Sequence, residues 1–262
     1  MLFIFDMDGV LYRGTEPIPQ AAWGVDALRT AGHTVRFLTN NSSRTRARYI
    51  PKLADMGIAC SMDEIVTSSH ILARLLVERG MTGCSAYPVG HDGLREELVD
   101  VAQCRLIAGD GPRADVVAVG IDREFTYDKM RIAQHHLLGG ARFFSTNRDS
   151  TFPVEGGILV PGAGSIVAAI ATASSKEPEN VGKPNPLGTA LVCRLCGIPP
   201  EETVVIGDRL DTDIEAGRAA GVKTLLVLTG VTSREEGEAA PSHQRPDMII
   251  PDLSQLPEEW IR

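Results

Sequence analysis

Short apolar runs of Val, Ile, Leu and Phe alternate along this chain with longer stretches of helical character, the pattern of a parallel sheet covered by helices on both faces. The runs are Leu2 to Phe5, Thr34 to Leu38, Thr203 to Ile206 and Lys223 to Leu228, with a shorter one at Met248 to Ile250. Polar chemistry collects where they end: Asp6 and Asp8 after the first, Thr39 and Asn40 after the second, Asp208 after the third, Thr229 and Gly230 after the fourth. In an open α/β sheet ligands bind beyond the carboxyl ends of the strands, so these ends predict a single site.

A second set of runs, Ser85 to Val89, Val116 to Ile121 and Arg142 to Ser145, is separated by the helical stretches Gly93 to Ala102 and Asp128 to Leu138. It predicts an inserted α/β domain over residues 80–178, interrupting a core made of residues 1–79 and 179–262. Gly80 to Gly83 reads as the linker into it, and Ser174 to Gly182, with Pro178, as the linker out. A chain of 262 residues is long enough for one to two domains of roughly 150 residues each. The helix Gly164 to Ser174 starts at Pro161-Gly162-Ala163-Gly164, whose glycines read as punctuation because the full spacing of a phosphate-cradling fingerprint is missing. Glu235 to Arg245 is polar and reads as a surface loop.

Composition removes several function classes. With 26 Lys and Arg against 34 Asp and Glu the net charge is -8, which repels a nucleic-acid backbone and an anionic lipid surface alike. Aromatics are 5% of residues, too few to furnish stacking platforms for single-stranded nucleic acid. No apolar stretch nears the roughly 20 residues of a membrane span, and Asp6 interrupts the opening apolar run before it can act as a secretion signal. The expectation is a cytoplasmic protein that binds neither nucleic acid nor membrane. Its cysteines, Cys60, Cys84, Cys104, Cys193 and Cys196, are odd in number and scattered, as reduced thiols are.

Asp6-Met7-Asp8-Gly9 follows the first run directly, and in extended backbone residues two apart project to the same side. Two carboxyl groups at one spot can bind a hard divalent cation or divide the work of nucleophile and acid/base, with Gly9 letting the chain turn away. The same four residues would also suit a plain turn or a calcium-type loop. Gly207-Asp208-Arg209-Leu210-Asp211-Thr212-Asp213 forms a second acidic cluster. Helix capping would use one of its carboxylates, while three beside Asp6 and Asp8 repel one another unless a cation offsets them. Thr39-Asn40-Asn41-Ser42-Ser43 offers hydroxyl and amide donors where a helix begins, suited to a phosphoryl oxygen or to an ordinary N-cap. Lys183, in Gly182-Lys183-Pro184, is by itself an ordinary surface lysine.

Taken in order, Phe5-Asp6-Met7-Asp8-Gly9-Val10-Leu11, Leu38-Thr39-Asn40-Asn41-Ser42, Gly182-Lys183-Pro184-Asn185-Pro186 and Gly207-Asp208 to Asp213-Ile214 resemble the four motifs of the haloacid dehalogenase superfamily of phosphohydrolases. They are most similar to its NagD-like subfamily of 4-nitrophenyl, phosphoglycolate and pyridoxal phosphatases. The resemblance implies a Rossmann-like core with a cap inserted between the second and third motifs, where the run pattern independently predicts an insert. It implies that Asp6 is the nucleophile forming an aspartyl-phosphate and that Asp8 is the acid/base. It further implies magnesium held by the Asp6 carboxylate, the backbone carbonyl of Asp8 and Asp208, with Asp213 in support. Thr39, Asn40, Asn41 and Lys183 would hold the phosphoryl group, with Arg209 and Thr212 of the fourth motif as further substrate-binding positions.

The leaving group, a small phosphorylated metabolite, would be read by the cap segment Thr146-Asn147-Arg148-Asp149-Ser150-Thr151-Phe152-Pro153, with Arg148, Asp149 and Phe152 as the candidates. Its start resembles pyridoxal phosphatases, but Phe152 stands where those carry a histidine, so their substrate does not carry over. A second copy of the chain, meeting through the cap, is a candidate partner. Cys193-Arg194-Leu195-Cys196 is a lone CxxC without the second pair that a structural zinc site needs, and reads as structural. Adjacent His135 and His136 lie on a predicted cap helix and read as solvated or packed. Two other functions fit the same core: a phosphotransferase or mutase, and a receiver-like phosphoacceptor, for which an inserted domain has no use.

Overall fold

The computed structural model describes residues 1–153 and 158–262 and divides into two compact units. The first comprises Met1–Thr39, Ala47–Val66 and Lys183–Arg262, and the second Asn40–Arg46 and Thr67–Gly182.

In the first unit the strands run Met248–Ile250, Lys223–Val227, Thr203–Gly207, Leu2–Phe5, Thr34–Thr39, Ile65–Thr67 across one six-stranded sheet. The four pairings from Met248–Ile250 to Thr34–Thr39 are parallel, with Phe5 in register with Ile206 on one side and Phe37 on the other. Leu2, Phe3, Ile4 and Phe5 are all fully buried. A strand covered on both faces needs apolar side chains at every position, which is why these segments read as continuous runs. Phe3, Phe5, Val204, Ile206, Leu225 and Val227 share one core with Val25, Leu28 and Trp260 from the covering helices.

The second unit carries a five-stranded parallel sheet in the order Glu179–Asn180, Arg142–Ser145, Val116–Val119, Ser85–Val89, Arg105–Leu106. Helices Tyr127–Leu138 and Ala163–Ser174 supply Ala133, Leu137, Ile166, Val167 and Ile170 to its core. A two-stranded antiparallel ladder, Thr151–Pro153 with Leu159–Pro161, lies outside that sheet. Both units are α/β, and the parallel-sheet core with an α/β insert is the architecture that the run pattern predicts.

Three local expectations need correction. Glu179–Asn180 is an edge strand of the second sheet, so Ser174 to Gly182 is not a linker. Arg234–Ala239 is a helix, where the polar composition suggests a loop: Ser233 accepts from the Glu236 N–H while the Glu236 carboxylate accepts from the Ser233 N–H. That reciprocal cap is written in the sequence as Ser-x-x-Glu. The glycines at 162 and 164 are not punctuation alone: a Cβ at Gly162 would collide with the Asp149 backbone, and one at Gly164 with that of Arg148 and Asp149. The second unit also includes helix Ser68–Glu78, whose Ser68 and Ser69 donate to the carbonyls of Asn40 and Ser42. No helix among the described residues is long and apolar enough to cross a membrane.

Candidate active site

Backbone pairing extends one residue past the first strand, since the Asp6 N–H donates to the Ile206 carbonyl at 2.8 Å. Asp6 is thereby fixed beside the end of Thr203–Gly207, from which Asp208 projects. The chain then turns back: Leu11 and Tyr12 both donate to the Met7 carbonyl, and Gly9 sits at φ 89°. At Gly9 and at Gly230 a Cβ would run into the Asp208 carboxylate, and at Gly207 into that of Asp213. Only residues without side chains let the backbone come this close to the carboxylates. A wide helical turn, closed by Asp213 and Ile214 N–H groups donating to the Arg209 carbonyl, brings Asp213 back under the strand end.

The result is a carboxylate cluster. Asp6, Asp208 and Asp213 each place an oxygen so that the three lie within 4.8 Å of one another, and Asp208 and Asp213 are 2% and 1% exposed. Lys183, 5% exposed, donates from Nζ to Asp6 Oδ1 and to Asp213 Oδ1, each at 2.5 Å. Its ammonium pKa is raised, because the two carboxylates outweigh the burial that acts against its charge. Three carboxylates against one ammonium leave two negative charges in excess when all are ionised. Burial, reinforced by Asp213, pushes the Asp208 carboxyl up to about 7. Asp6 is likewise raised, by burial first and by its acidic neighbours, against the pull of Lys183.

Asp208 Oδ2 accepts from the Val231 N–H at 3.0 Å, whereas its Oδ1 is buried with no hydrogen-bond partner among the described residues. An orphaned carboxylate oxygen inside a cluster of excess negative charge, built from hard oxygen donors, fits a divalent cation such as magnesium. Among the described residues the Asp8 carboxylate is not part of this cluster. Its side chain keeps contact with solvent, and its pKa is raised as surrounding protein removes hydration, with Lys52 opposing. Lys52 itself lies with Nζ 3.2 Å from the centre of the Tyr12 ring. Nothing local in the sequence points to Lys52, more than 40 residues away from Asp8.

Of the other expected binding residues, Thr39 is buried at the end of its strand and Thr212 within the helical turn. Asn40 begins the second unit, where its carbonyl accepts from Ser68 Oγ and Asn147 Nδ2 at 2.6 and 2.8 Å. Its amide Nδ2 lies 3.4 Å from both Asp149 carboxylate oxygens. Asn41 turns its side-chain carbonyl to the Ser43 N–H and hydroxyl. Arg209 clasps Asp211 through two nitrogens, and Arg148 pairs with Glu177 at 2.5 Å, both on the surface. Phe152 is half-buried, with the Arg123 guanidinium 5.7 Å from its ring centre. It lines a cavity of about 560 Å³ with Ile121, Phe125, Val160 and Ile166. His136 is packed, accepting from the Ala114 N–H and contacting the Gly109 carbonyl. Cys193 touches the Thr203 hydroxyl at 3.6 Å, and among the described residues neither it nor Cys196 belongs to a cluster able to hold a metal.

Residues 3–103 match the family of haloacid dehalogenase-like hydrolases, and residues 180–256 a second family description of the same kind. The 5'-nucleotidase YutF of Bacillus subtilis is 36% identical over 259 residues, 99% of this chain and 96% of that protein. An acid sugar phosphatase of Staphylococcus aureus is 34% identical over 234 residues, 89% and 88% of the two chains. The crystal structure of a glycerol phosphate phosphatase from Mycobacterium tuberculosis in complex with magnesium superposes with a TM-score of 0.90 at 32% identity, covering 97% of this chain and 75% of that one. With similarity along nearly its whole length to these phosphatases, the chain belongs to the haloacid dehalogenase-like hydrolase family and to the NagD-like phosphatases within it.

Proposed function

We propose that this chain is a magnesium-dependent phosphomonoester hydrolase that works through an aspartyl-phosphate on Asp6. The observation that carries the reading is Lys183: a buried ammonium shared by Asp6 and Asp213, in a cluster that still has negative charge in excess. Lys183 opposes the burial that raises the Asp6 pKa and orients a carboxylate stripped of water, as a nucleophile toward phosphorus requires. An Asp6 oxygen attacks phosphorus in line and the ester oxygen departs. Asp8 donates the proton to that oxygen, for which a raised pKa is suited, and its contact with solvent lets it later take a proton from the water that cleaves the acyl phosphate. Thr39, Asn40 and Lys183 bind the phosphoryl oxygens, where fixed donors stabilise charge with little reorganisation. Asp6, the Asp8 carbonyl, Asp208 and Asp213 would hold magnesium, whose charge would offset the repulsion between carboxylate and phosphate.

The substrate is a small phosphorylated metabolite. Relatives named for nucleotides, sugar phosphates and glycerol phosphate support this class. Phosphate release from a panel of such esters, with magnesium and with Asp6→Asn as the comparison, tests the reading: the variant loses nearly all turnover while its far-UV spectrum is unchanged. Wild-type turnover in Asp6→Asn overturns the covalent mechanism. Transfer to an added alcohol in preference to water identifies a phosphotransferase instead.

A further inference from the structure

Cys84 and Cys104 each precede a strand of the second sheet, and the register of those strands sets Ser85 opposite Arg105. One step back, the two cysteines face each other across the ladder, with the Arg105 N–H donating to the Cys84 carbonyl at 2.9 Å. Their Sγ atoms are 3.5 Å apart. A disulfide requires about 2.05 Å between sulfurs and Cα atoms roughly 4.4 to 6.8 Å apart, and neighbouring strands lie about 4.8 Å apart, so rotation of the side chains suffices. Cys84 is half-buried and Cys104 is 5% exposed, which leaves one sulfur reachable from outside and the other behind it.

We infer that Cys84 and Cys104 form a reversible dithiol–disulfide site whose oxidant is a small disulfide such as glutathione disulfide. The Cys84 thiolate attacks one sulfur of the oxidant, its S–S bond breaks, and one glutathione thiolate leaves. Cys104 then gives up its proton and attacks the Cys84 sulfur of the mixed disulfide, releasing the second glutathione thiolate and closing the Cys84–Cys104 bond. Two thiols are oxidised and one disulfide is reduced to two thiols. The acidities follow this order: the shared hydrogen bond lowers the Cys84 pKa, and the same bond, with burial and the Cys84 charge behind it, raises that of Cys104. Once Cys84 is capped, the hydrogen bond and charge no longer hold the Cys104 proton, which eases its ionisation.

Closing the bond encloses about 20 residues, including helix Asp92–Asp100, and pins the edge strand Arg105–Leu106 to its neighbour. That helix carries Glu97, 3% exposed, which accepts from Arg46 Nε at 2.5 Å and faces His70 Nδ1 at 2.7 Å. The bond therefore clips together the part of the second unit that holds Asn40–Arg46.

The test incubates the reduced full-length protein in glutathione redox buffers, alkylates the remaining thiols and maps peptides by mass spectrometry. The expected product is a Cys84–Cys104 cross-linked peptide, lighter by two hydrogens, with Cys60, Cys193 and Cys196 alkylated. Its melting temperature rises by several degrees and returns with dithiothreitol. Cys104→Ser should stop at a glutathione adduct on Cys84, and Cys84→Ser should form no cross-link. All five thiols remaining alkylatable across the buffers, a glutathione adduct persisting on wild-type Cys84, or equal pairing in the urea-unfolded chain would each overturn the assignment.

Discussion

Lys183→Met removes the ammonium and keeps most of the side-chain volume, so its cost reports on charge. At an effective dielectric of 20, two N–O contacts of 2.5 Å carry roughly 7 kcal/mol of gross attraction apiece. Desolvation of three buried charged groups consumes most of it, and breaking a buried ion pair from one side leaves a net cost of about 3 to 5 kcal/mol. At roughly 2 to 4 °C per kcal/mol the melting temperature should fall on the order of 10 °C. The loss should shrink as pH falls through 7, where Asp208, raised to about 7, takes up a proton and lessens the excess charge; the raised Asp6 acts in the same direction. Turnover at saturating magnesium and substrate should fall at least tenfold, equivalent to about 1.4 kcal/mol of transition-state stabilisation. Differential scanning fluorimetry at several pH values and steady-state phosphate release measure the two effects. A variant that melts within a degree of the wild type at pH 7.5 and keeps its rate would return Lys183 to an ordinary lysine and remove the argument for a charge-balanced nucleophile.

Asp208 links metal to stability. Its folded pKa of about 7 lies above the roughly 3.9 of an unfolded aspartate, so the folded state binds the proton more tightly. That contribution is complete below pH 4 and is lost as pH rises through 7. Chelator-treated protein should therefore lose stability over this window, and magnesium should raise the melting temperature more at pH 8 than at pH 5; a pH-independent gain would contradict this origin. Replacing Cys193 and Cys196 by serine should leave turnover unchanged and no zinc to lose by elemental analysis, because among the described residues neither belongs to a cluster able to hold a metal. Phe152→His should reorder the esters of the substrate panel by contacts worth roughly 1 to 3 kcal/mol while sparing a small activated ester. Equal effects on every ester would make Phe152 a packing residue of its cavity.

What the sequence makes legible here follows from distance along the chain. Leu2–Phe5 and Thr203–Gly207 announce themselves because burial on both faces demands unbroken apolar runs, and the acidic residues at their ends follow within a few positions. Two-residue strands such as Arg105–Leu106 and Glu179–Asn180 have no period to detect; their pairing partners decide them. The same division runs through the site. Asp6, Asp208 and Lys183 stand out as residue types in motifs, but what orients them is not local. The Val231 N–H on Asp208 is 23 positions away, and the Asn147 amide on the Asn40 carbonyl is 107 positions away. The glycines at 9, 207 and 230 read as turn residues in any window, although each is required by a carboxylate that would strike its Cβ. Motif chemistry thus names the candidate groups, and only the packing explains why those groups can sit so close: small residues on three segments clear the space, and one buried ammonium makes three neighbouring carboxylates tolerable.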